Sequence, residues 1–433
     1  MNPINLWKKA EKIIPGGNGL LSKRPKRFLP KGWPIYFSKA NGLNIWDLNG
    51  KKYVDFSNMG VGTAILGYSN SFVNNSVNKK IRLGINTTLN CREEYELAKE
   101  LLKHDKFAQQ VKFARGGGEA MAMAIRIARA SSDNNKKYKI GFSGYHGWHD
   151  WYLAANLENR KNLNNHLLKN LNPIGVPLNL NNSIIPFKFN DSESLLNLVK
   201  KNKKDLCAIV IEGARYQYPN KNFVKVINNL IKKHNICLII DEITSGWRES
   251  VGGIYKKFNL KPGIVIYGKA LGNGFAISAI VGKKKYMKNV QDTFISSTAW
   301  TERVGFQAAL STIKFFKKKK VYQHIITNGK YIISQWKKLF LKYNLQAKIN
   351  DFISMPSFEF LYNSKNEYLH TYFTELMLNK GYLSTNNISI TYSHKKKDID
   401  KYLKNVDLVL KKISKELQKD KLNLKSSVRT MSY

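Results

Sequence analysis

The 433-residue sequence predicts an α/β protein with a mainly parallel central sheet and a smaller α+β domain at its C-terminal end. Between residues 66 and 310, short and continuously apolar runs alternate with helical periods, which is typical of strands that are buried on both faces of a parallel sheet. The runs are VKFAR, KIGFS, CAIVIE, ICLIID, GIVIYG and AISAIVG. Crossover helices between such runs are the usual connection of parallel strands.

In chain order, the elements form three predicted segments. Residues 1–65 start with an amphipathic helix at 4–14 and continue as small antiparallel strands. These strands turn at Asn49-Gly50, a dipeptide that two-residue hairpins favour. Residues 66–310 form the large domain, and residues 311–433 form the small C-terminal domain.

The helical periods place further elements in these two domains. In the large domain, helices are expected to include 120–130 and 224–233. After about residue 302 the chain turns mostly helical, with expected helices at 302–319, 322–343, 366–380 and 398–418 and a weaker strand at 389–392.

The formal net charge of +42 raises the question of an anionic partner. Lysine supplies almost all of the excess and is spread along the whole length, and no motif that reads nucleic acid accompanies it. A basic nucleic-acid-binding protein is therefore an alternative that charge alone supports. The expectation is a protein that binds neither nucleic acid nor a membrane, because no eighteen apolar residues run together.

Cysteine usage indicates the compartment. Cys91, Cys207 and Cys237 are odd in number and far apart, and two of them lie inside apolar runs. They are expected to be buried thiols in a reducing environment. The N-terminal residues also lack the apolar core of a signal peptide, so a soluble cytoplasmic protein is expected.

Two residues at predicted strand ends point to chemistry. Lys269 follows the apolar run 263–267, and Asp241 follows the run 236–240. Carboxyl ends of parallel strands collect ligands, and a desolvated lysine becomes nucleophilic. An aspartate that keeps a pyridinium protonated and a lysine that forms a Schiff base suit a pyridoxal-type cofactor. If only these two residues are considered, the simpler alternative is that Asp241 caps a helix and that the side chain of Lys269 is solvated.

Two further segments fall at the same predicted sheet edge. Gly116-Gly117-Gly118 lies between a strand and a helix, where free backbone N–H groups can hold a phosphate, although no nucleotide-binding lysine follows. After the next strand comes GYHGWHD, in which Tyr145 is a candidate to stack on a flat cofactor and an ordinary core tyrosine is the alternative. His146 and His149 have no further ligand set at metal-binding spacing, so no metal site is predicted.

Four motifs in this order resemble the class III aminotransferases, which have the fold-type I architecture of pyridoxal-phosphate-dependent transferases. They are GGGEA with AIRIARA, GYHGWHD, IIDEITSGWR and GKALGNGFAISAIVG. The resemblance covers nearly the whole chain. Within the class, it is strongest to the branch that contains glutamate-1-semialdehyde 2,1-aminomutase and its aminotransferase relatives.

The resemblance implies a role for each residue that matches a motif. Lys269 would form the internal aldimine with pyridoxal 5'-phosphate and carry the proton between substrate and cofactor. Asp241 would hold the pyridine nitrogen. Ile243 and Tyr145 would pack on the two faces of the ring.

The phosphate contacts that the resemblance implies include a second subunit. Gly117 and Gly118 would donate backbone N–H groups to the phosphate. Thr298 aligns with a threonine that reaches the phosphate of the neighbouring subunit, so a homodimer with shared active sites is implied. Family members commonly carry serine or threonine at the first or third position of the glycine cluster, and here Gly116 and Gly118 stand at both.

The implied reaction moves an amino group from a small-molecule donor to an aldehyde or ketone acceptor. The alternative within the family is the aminomutase, which rearranges its substrate to 5-aminolevulinate. The segments TERVG and GNGFAIS differ from the SGNP and GGGLPVG of the aminomutase, which favours a general aminotransferase. Arg24, Arg27 or Arg303 is a candidate to bind a substrate anion, with an ion pair as the alternative for each.

Overall fold

The computed structural model describes residues 2–132, 136–166 and 168–430, and the chain divides into two compact units. One unit joins the residues up to Asn70 with those from Gln323 onwards, and the other is Ser71–Tyr322. The division at residues 65 and 310 that the sequence suggests stays a prediction about domains. Of the helices in the described ranges, none has the length and apolar character needed to traverse a bilayer.

The strands are β1 (Phe37–Asn41), β2 (Asn44–Asp47), β3 (Lys52–Phe56), β4 (Gln110–Ala114), β5 (Lys139–Ser143), β6 (Ile184–Pro186), β7 (Leu206–Glu212), β8 (Cys237–Asp241), β9 (Ile264–Tyr267), β10 (Ser278–Gly282), β11 (Ala347–Ile349), β12 (Phe358–Phe360) and β13 (Tyr382–Ser384).

The helices are α1 (Pro3–Ile13), α2 (Met59–Gly62), α3 (Ser71–Ile81), α4 (Arg92–His104), α5 (Gly117–Ala130), α6 (Asp150–Leu153), α7 (Ala155–Glu158), α8 (Ser192–Asn202), α9 (Lys221–His234), α10 (Lys284–Met287), α11 (Arg303–Lys318), α12 (Val321–Lys342), α13 (Asn366–Asn379) and α14 (Lys396–Gln418).

The larger unit contains a seven-stranded sheet in the order β4-β10-β9-β8-β7-β5-β6. The pairs from β6 through β5, β7 and β8 to β9 are parallel, and β10 is antiparallel to both β9 and β4. Every residue of β7, β8 and β9 is buried, which explains their unbroken apolar sequences. The prediction of a mainly parallel α/β sheet is confirmed.

The other unit contains a four-stranded sheet in the order β1-β2-β3-β13. β2 and β3 form the expected antiparallel hairpin, and Gly50 in its turn has a φ of 80°. β13 adds in parallel to β3, with Tyr382 opposite Val54. The predicted strand at 389–392 is wrong: the N–H groups of this mostly buried segment donate to carbonyl oxygens of separate segments and to a histidine ring, and not to one partner strand.

The predicted helices of the C-terminal part are confirmed to within two residues at each end. The sheet of the larger unit also determines which side chains meet. Because β5, β7, β8 and β9 are parallel, their carboxyl ends lie at one edge of the sheet. Glu212 at the end of β7 pairs in register with Asp241 at the end of β8. The region around Lys269 follows β9 at the same edge.

Candidate active site

Lys269 lies just beyond β9, at the start of the 3-10 turn Lys269–Gly272. Its backbone φ is 43°, in the left-handed region that residues with a side chain seldom occupy. The Nζ atom donates a hydrogen bond of 2.9 Å to Oγ1 of Thr244. Burial, followed by the nearby positive charges of Arg215 and Arg248, lowers the pKa of Lys269 to about 8. Roughly a tenth of its amine is therefore uncharged at pH 7 and available as a nucleophile.

Asp241 is buried, and its carboxylate is held on both oxygens. Oδ1 accepts the backbone N–H of Ile243 at 3.0 Å, and Oδ2 lies 2.9 Å from Nδ1 of His146. The other ring nitrogen of His146 lies 3.2 Å from the carbonyl oxygen of Ser143. In the sequence, the spacing of His146 suggests only a metal ligand and does not reveal its role as the partner of Asp241. Its position just after a strand end was the available signal.

The neighbouring acid, Glu242, serves a different purpose. Consecutive side chains in extended backbone point in opposite directions, which separates the two carboxylates. Glu242 accepts the hydroxyl of Ser245 at 2.6 Å and the N–H of Tyr255 at 2.8 Å. Burial raises the pKa of Glu242 to about 7. Asp241 is therefore the acid of the pair that faces the strand-end cluster, and Glu242 is part of the packed interior.

Arg215 is a site residue that the sequence did not indicate. Its Nε donates to both carboxylate oxygens of Glu212, at 2.7 and 2.9 Å. One terminal nitrogen lies 3.3 Å from Oγ1 of Thr244, the same oxygen that Lys269 contacts. The guanidinium carbon is 6.0 Å from the ring centroid of Tyr145. Arg215 therefore holds a fixed positive charge beside the amine of Lys269.

The glycine cluster begins helix α5. Oε2 of Glu119 accepts the N–H groups of Arg115 and Gly116, at 3.0 and 3.1 Å. The following N–H groups, those of Gly117 and Gly118, lie in the first turn, where a helix offers no internal acceptor. They point in the direction in which the helix dipole favours an anion.

Ile243 connects the glycine cluster with the lysine turn. A methyl group in place of a hydrogen of Gly117 would lie 2.9 Å from Cδ1 of Ile243. A methyl group in place of a hydrogen of Gly268, directly before Lys269, would lie 3.5 Å from Cγ2 of Ile243. Glycine at 117 thus lets the start of α5 approach the side chain of Ile243.

The structure brings six of the sequence-predicted residues to this sheet edge, where each is linked to the cluster by a contact of its own or of a residue next to it in the chain. Tyr145 enters this network through its backbone N–H, which donates to Glu212 at 3.3 Å. The six residues are Gly117, Gly118, Tyr145, Asp241, Ile243 and Lys269. Their roles toward a cofactor stay predictions.

Two other candidates lie elsewhere in the larger unit. Thr298 begins the exposed turn Thr298–Thr301, and its carbonyl oxygen accepts from Asn86 at 3.4 Å. Arg303 forms an ion pair with Glu93 at 3.0 Å, so the alternative of a structural ion pair holds for this arginine.

The cluster fits pyridoxal phosphate in three respects. The start of α5 suits a phosphate, and a buried carboxylate suits a protonated ring nitrogen. An amine with a lowered pKa suits the aldehyde. Beside Gly118, Nδ1 of His149 is buried and has no hydrogen-bond partner among the described residues, as expected where a polar ligand group belongs. Within the described ranges, no group of three or more His, Cys, Asp or Glu side chains is arranged to hold a metal ion.

Comparison with known proteins identifies relatives along nearly the whole chain. The model of the family described as aminotransferase class-III matches residues 30–410. A 3-aminobutyryl-CoA aminotransferase of Cloacimonas acidaminovorans is 28% identical over 92% of this chain and 93% of its own. A glutamate-1-semialdehyde 2,1-aminomutase of Methanosphaera stadtmanae is 27% identical over 95% and 98%.

Solved structures show the same fold. The FumI protein of Sphingopyxis sp. MTA144, in its PLP internal aldimine form, superposes with a TM-score of 0.86 at 20% identity, over 99% of this chain and 98% of its own. A β-phenylalanine aminotransferase of Variovorax paradoxus gives a TM-score of 0.81 at 16% identity, over 96% and 94%. The fold class that the sequence predicts is confirmed.

Proposed function

The chain belongs to the class III aminotransferases and is a pyridoxal-phosphate-dependent enzyme, and we propose that it transfers an amino group from a small-molecule amine to an aldehyde or ketone by means of Lys269. The observation that carries this proposal is the pairing of a reactive amine with a fixed carboxylate at one sheet edge. The amine of Lys269 has its pKa lowered to about 8. Asp241 is held by Ile243 and His146.

Four residues of the chain would hold the cofactor at three of its groups. Lys269 would bind its aldehyde carbon, and Asp241 would accept a hydrogen bond from its protonated ring nitrogen. The first-turn N–H groups of Gly117 and Gly118 would bind its phosphate. When bound, pyridoxal phosphate supplies an electron sink for the bonds of the substrate's amino carbon.

Two of these residues act during the reaction. Asp241 would keep a negative charge beside the ring nitrogen, and the contact of His146 with Oδ2 holds that carboxylate in position. When its Nζ is not bonded to the cofactor, Lys269 would be the base that takes a proton from the amino-bearing carbon of the substrate and later gives that proton up. Thr244 orients this amine through its 2.9 Å contact. Together with burial, the positive charge of Arg215 disfavours the protonated form of the Lys269 amine, so that the amine can accept a proton.

The function is tested by following each half of the reaction separately. The protein is loaded with pyridoxal phosphate, and single amines are added without any acceptor. Transfer of an amino group changes the absorbance of the bound cofactor, and a carbonyl acceptor then restores it. A protein that takes up no cofactor, or whose absorbance responds to none of a broad panel of amines, contradicts the proposal. Conversion of glutamate 1-semialdehyde to 5-aminolevulinate without an added donor would establish the aminomutase reaction instead.

The proposed working form is a homodimer. Thr298 is exposed in the single chain, and the segment 83–95 lies beside it, since Arg303 donates its N–H to the carbonyl oxygen of Ile85. Five large apolar side chains are exposed in this region, which we call the Thr298 surface: Leu83, Ile85, Leu89, Tyr95 and Phe294. A second copy of the chain that covers this surface would bury them and bring Thr298 to the neighbouring phosphate.

A charge on the Thr298 surface is expected to separate the dimer. Leu89 is 82% exposed, so Leu89→Glu costs the single chain little, whereas a buried carboxylate opposes association. Size-exclusion chromatography with light scattering should show the wild type as a dimer and Leu89→Glu as a monomer. The matched control is Ile174→Glu, at an apolar residue that is 83% exposed outside this surface and should leave the dimer intact. A dimeric Leu89→Glu protein, or a monomeric wild type, contradicts the proposed interface.

A cytoplasmic location is also proposed. Its support is that Cys207 and Cys237 are buried free thiols, as expected, and that Cys91 is also free, although it is only partly buried and not buried as expected. Reduced cysteines of this kind are usual where glutathione keeps thiols reduced.

A further inference from the structure

A histidine ring occupies the space beside Gly118 that a side chain would otherwise need. A methyl group in place of a hydrogen of Gly118 would lie 3.1 Å from Nδ1 and 3.2 Å from Cε1 of His149. Both distances are shorter than an ordinary van der Waals contact. A serine or threonine at position 118 would therefore crowd the imidazole.

The backbone before His149 is pressed against the same helix turn. Gly147 has a φ of 105°, and a methyl group there would lie 2.8 Å from the Cα of Gly118. Residue 147 must therefore be glycine for the two backbones to approach this closely. The approach brings the ring of His149 to the first turn of α5.

The ring of His149 is held in place by its surroundings. Trp148 stacks on it with ring centroids 4.3 Å apart and an angle of 26° between the planes. The carbonyl oxygen of His149 accepts the N–H of Tyr152 at 2.9 Å, where helix α6 begins. The imidazole is thus positioned without any hydrogen bond from its Nδ1 atom.

Nδ1 of His149 has no hydrogen-bond partner among the described residues, although it is buried. A buried polar atom without a partner is unfavourable, and native proteins retain few of them. A methyl group on Gly118 would lie 3.1 Å from this atom, and the N–H of Gly118 lies in the first turn of α5. An anion that binds at this turn would supply the missing acceptor.

We propose that His149 donates a hydrogen bond from Nδ1 to the phosphate of the bound cofactor, beside the N–H of Gly118. This inference rests on the proposed function and adds a residue to the phosphate site. The imidazole replaces the hydroxyl group that relatives commonly carry within the glycine cluster. Glycine at 118 and histidine at 149 therefore depend on each other, because the lack of a side chain at 118 leaves room for the imidazole of His149.

The test compares the binding of pyridoxal phosphate and of pyridoxal, which lacks the phosphate, to apoprotein. In His149→Ala, the dissociation constant for pyridoxal phosphate is expected to rise by roughly 10- to 100-fold, as for a lost hydrogen bond to a charged group. The dissociation constant for pyridoxal should stay within about threefold, because that ligand never makes the contact. His149→Asn, whose amide nitrogen replaces Nδ1, should recover most of the affinity for pyridoxal phosphate.

Substitutions at position 118 provide a second and independent readout. In the wild-type background, Gly118→Ser meets the imidazole and should weaken the binding of pyridoxal phosphate. In the His149→Ala background, the same serine has room and should strengthen it. Gly118→Ser thus lowers the affinity for pyridoxal phosphate in one background and raises it in the other, because the serine and the imidazole compete for the same space beside the same phosphate. If His149 had only a structural role, the effect of the serine would not reverse.

Several results would overturn the inference. One is an unchanged affinity for pyridoxal phosphate in His149→Ala. Another is an equal loss of affinity for pyridoxal phosphate and for pyridoxal. The third is that Gly118→Ser changes the affinity for pyridoxal phosphate in the same direction in both backgrounds. If instead the wild-type protein binds pyridoxal phosphate no better than pyridoxal and transfers no amino group, the proposed function itself fails. The wild-type measurements therefore separate the two failures.

Discussion

Lys269→Ala is expected to yield a folded protein that binds pyridoxal phosphate without a covalent bond and transfers no amino group. The substitution removes both the nucleophile that holds the aldehyde carbon and the base that moves the substrate proton. Loss of the base alone typically slows a reaction by about 10²- to 10⁴-fold. Because both roles disappear together, turnover should fall by at least about 10⁴-fold.

Borohydride reduction followed by mass spectrometry measures the covalent bond directly. In the wild type, the reduced adduct should map to the peptide that contains Lys269, and in Lys269→Ala no adduct should form. Lys284→Ala, at an exposed lysine of α10, is the control that should keep both the adduct and the activity. An adduct on another lysine, or turnover near the wild-type rate in Lys269→Ala, would contradict the assignment.

Asp241→Asn is expected to have the second largest effect. The substitution keeps the size of the side chain and an oxygen for the N–H of Ile243, but it removes the negative charge opposite the ring nitrogen. A preorganised electrostatic contact of this kind is worth roughly 10²- to 10³-fold in rate, so kcat should fall by about that factor. The absorbance of the bound cofactor should also change, because the protonation of its ring nitrogen changes.

The neighbouring acid provides the control for Asp241. Glu242 is buried next to Asp241, but its carboxylate faces Ser245 and Tyr255. Glu242→Gln should therefore lower the melting temperature while kcat stays within a few-fold of wild type. Equal losses of kcat in Asp241→Asn and Glu242→Gln would show that the effect is structural and would remove Asp241 from the proposed mechanism.

Strand ends made the chemistry predictable from the sequence. Lys269 and Asp241 each follow an apolar run, and the rule that parallel strands end at one edge brings them together without knowledge of the packing. The glycine cluster before α5 was predictable for a similar reason, since phosphate sites favour a strand, a glycine turn and a helix. Each of these signals is local in the sequence.

The signals that failed were those that depend on distant partners. β6 has only three residues and was not predicted, because a run of that length does not stand out from a loop. β13 was missed while 389–392 was preferred, although both segments are short and mix apolar with hydroxyl side chains. The choice between them depends on β3, which lies more than 300 residues earlier in the chain. Strand pairing at that separation leaves no periodicity in the sequence.

Site residues in loops were the other feature that could not be predicted from the sequence. Arg215 follows β7 by three residues, and its importance appears only when Thr244 and Lys269 are seen beside it. From the sequence, His149 was weighed only as a metal ligand, on its spacing from His146, and no metal site was predicted. Its contact with Gly118 depends on two loops that meet in space. Neither pattern has a period or a motif from which to infer it.

The left-handed backbone of Lys269 has a consequence for how this protein can evolve. A residue with a side chain at a φ of 43° costs about 1 kcal/mol relative to glycine. Glycine at 269 would relieve that strain, yet it would delete the reactive amine. Selection for thermal stability alone therefore drives this position away from lysine, and only selection for turnover retains it. Laboratory evolution toward a more thermostable variant needs an activity screen in every round, because at this position stability favours glycine and catalysis requires lysine.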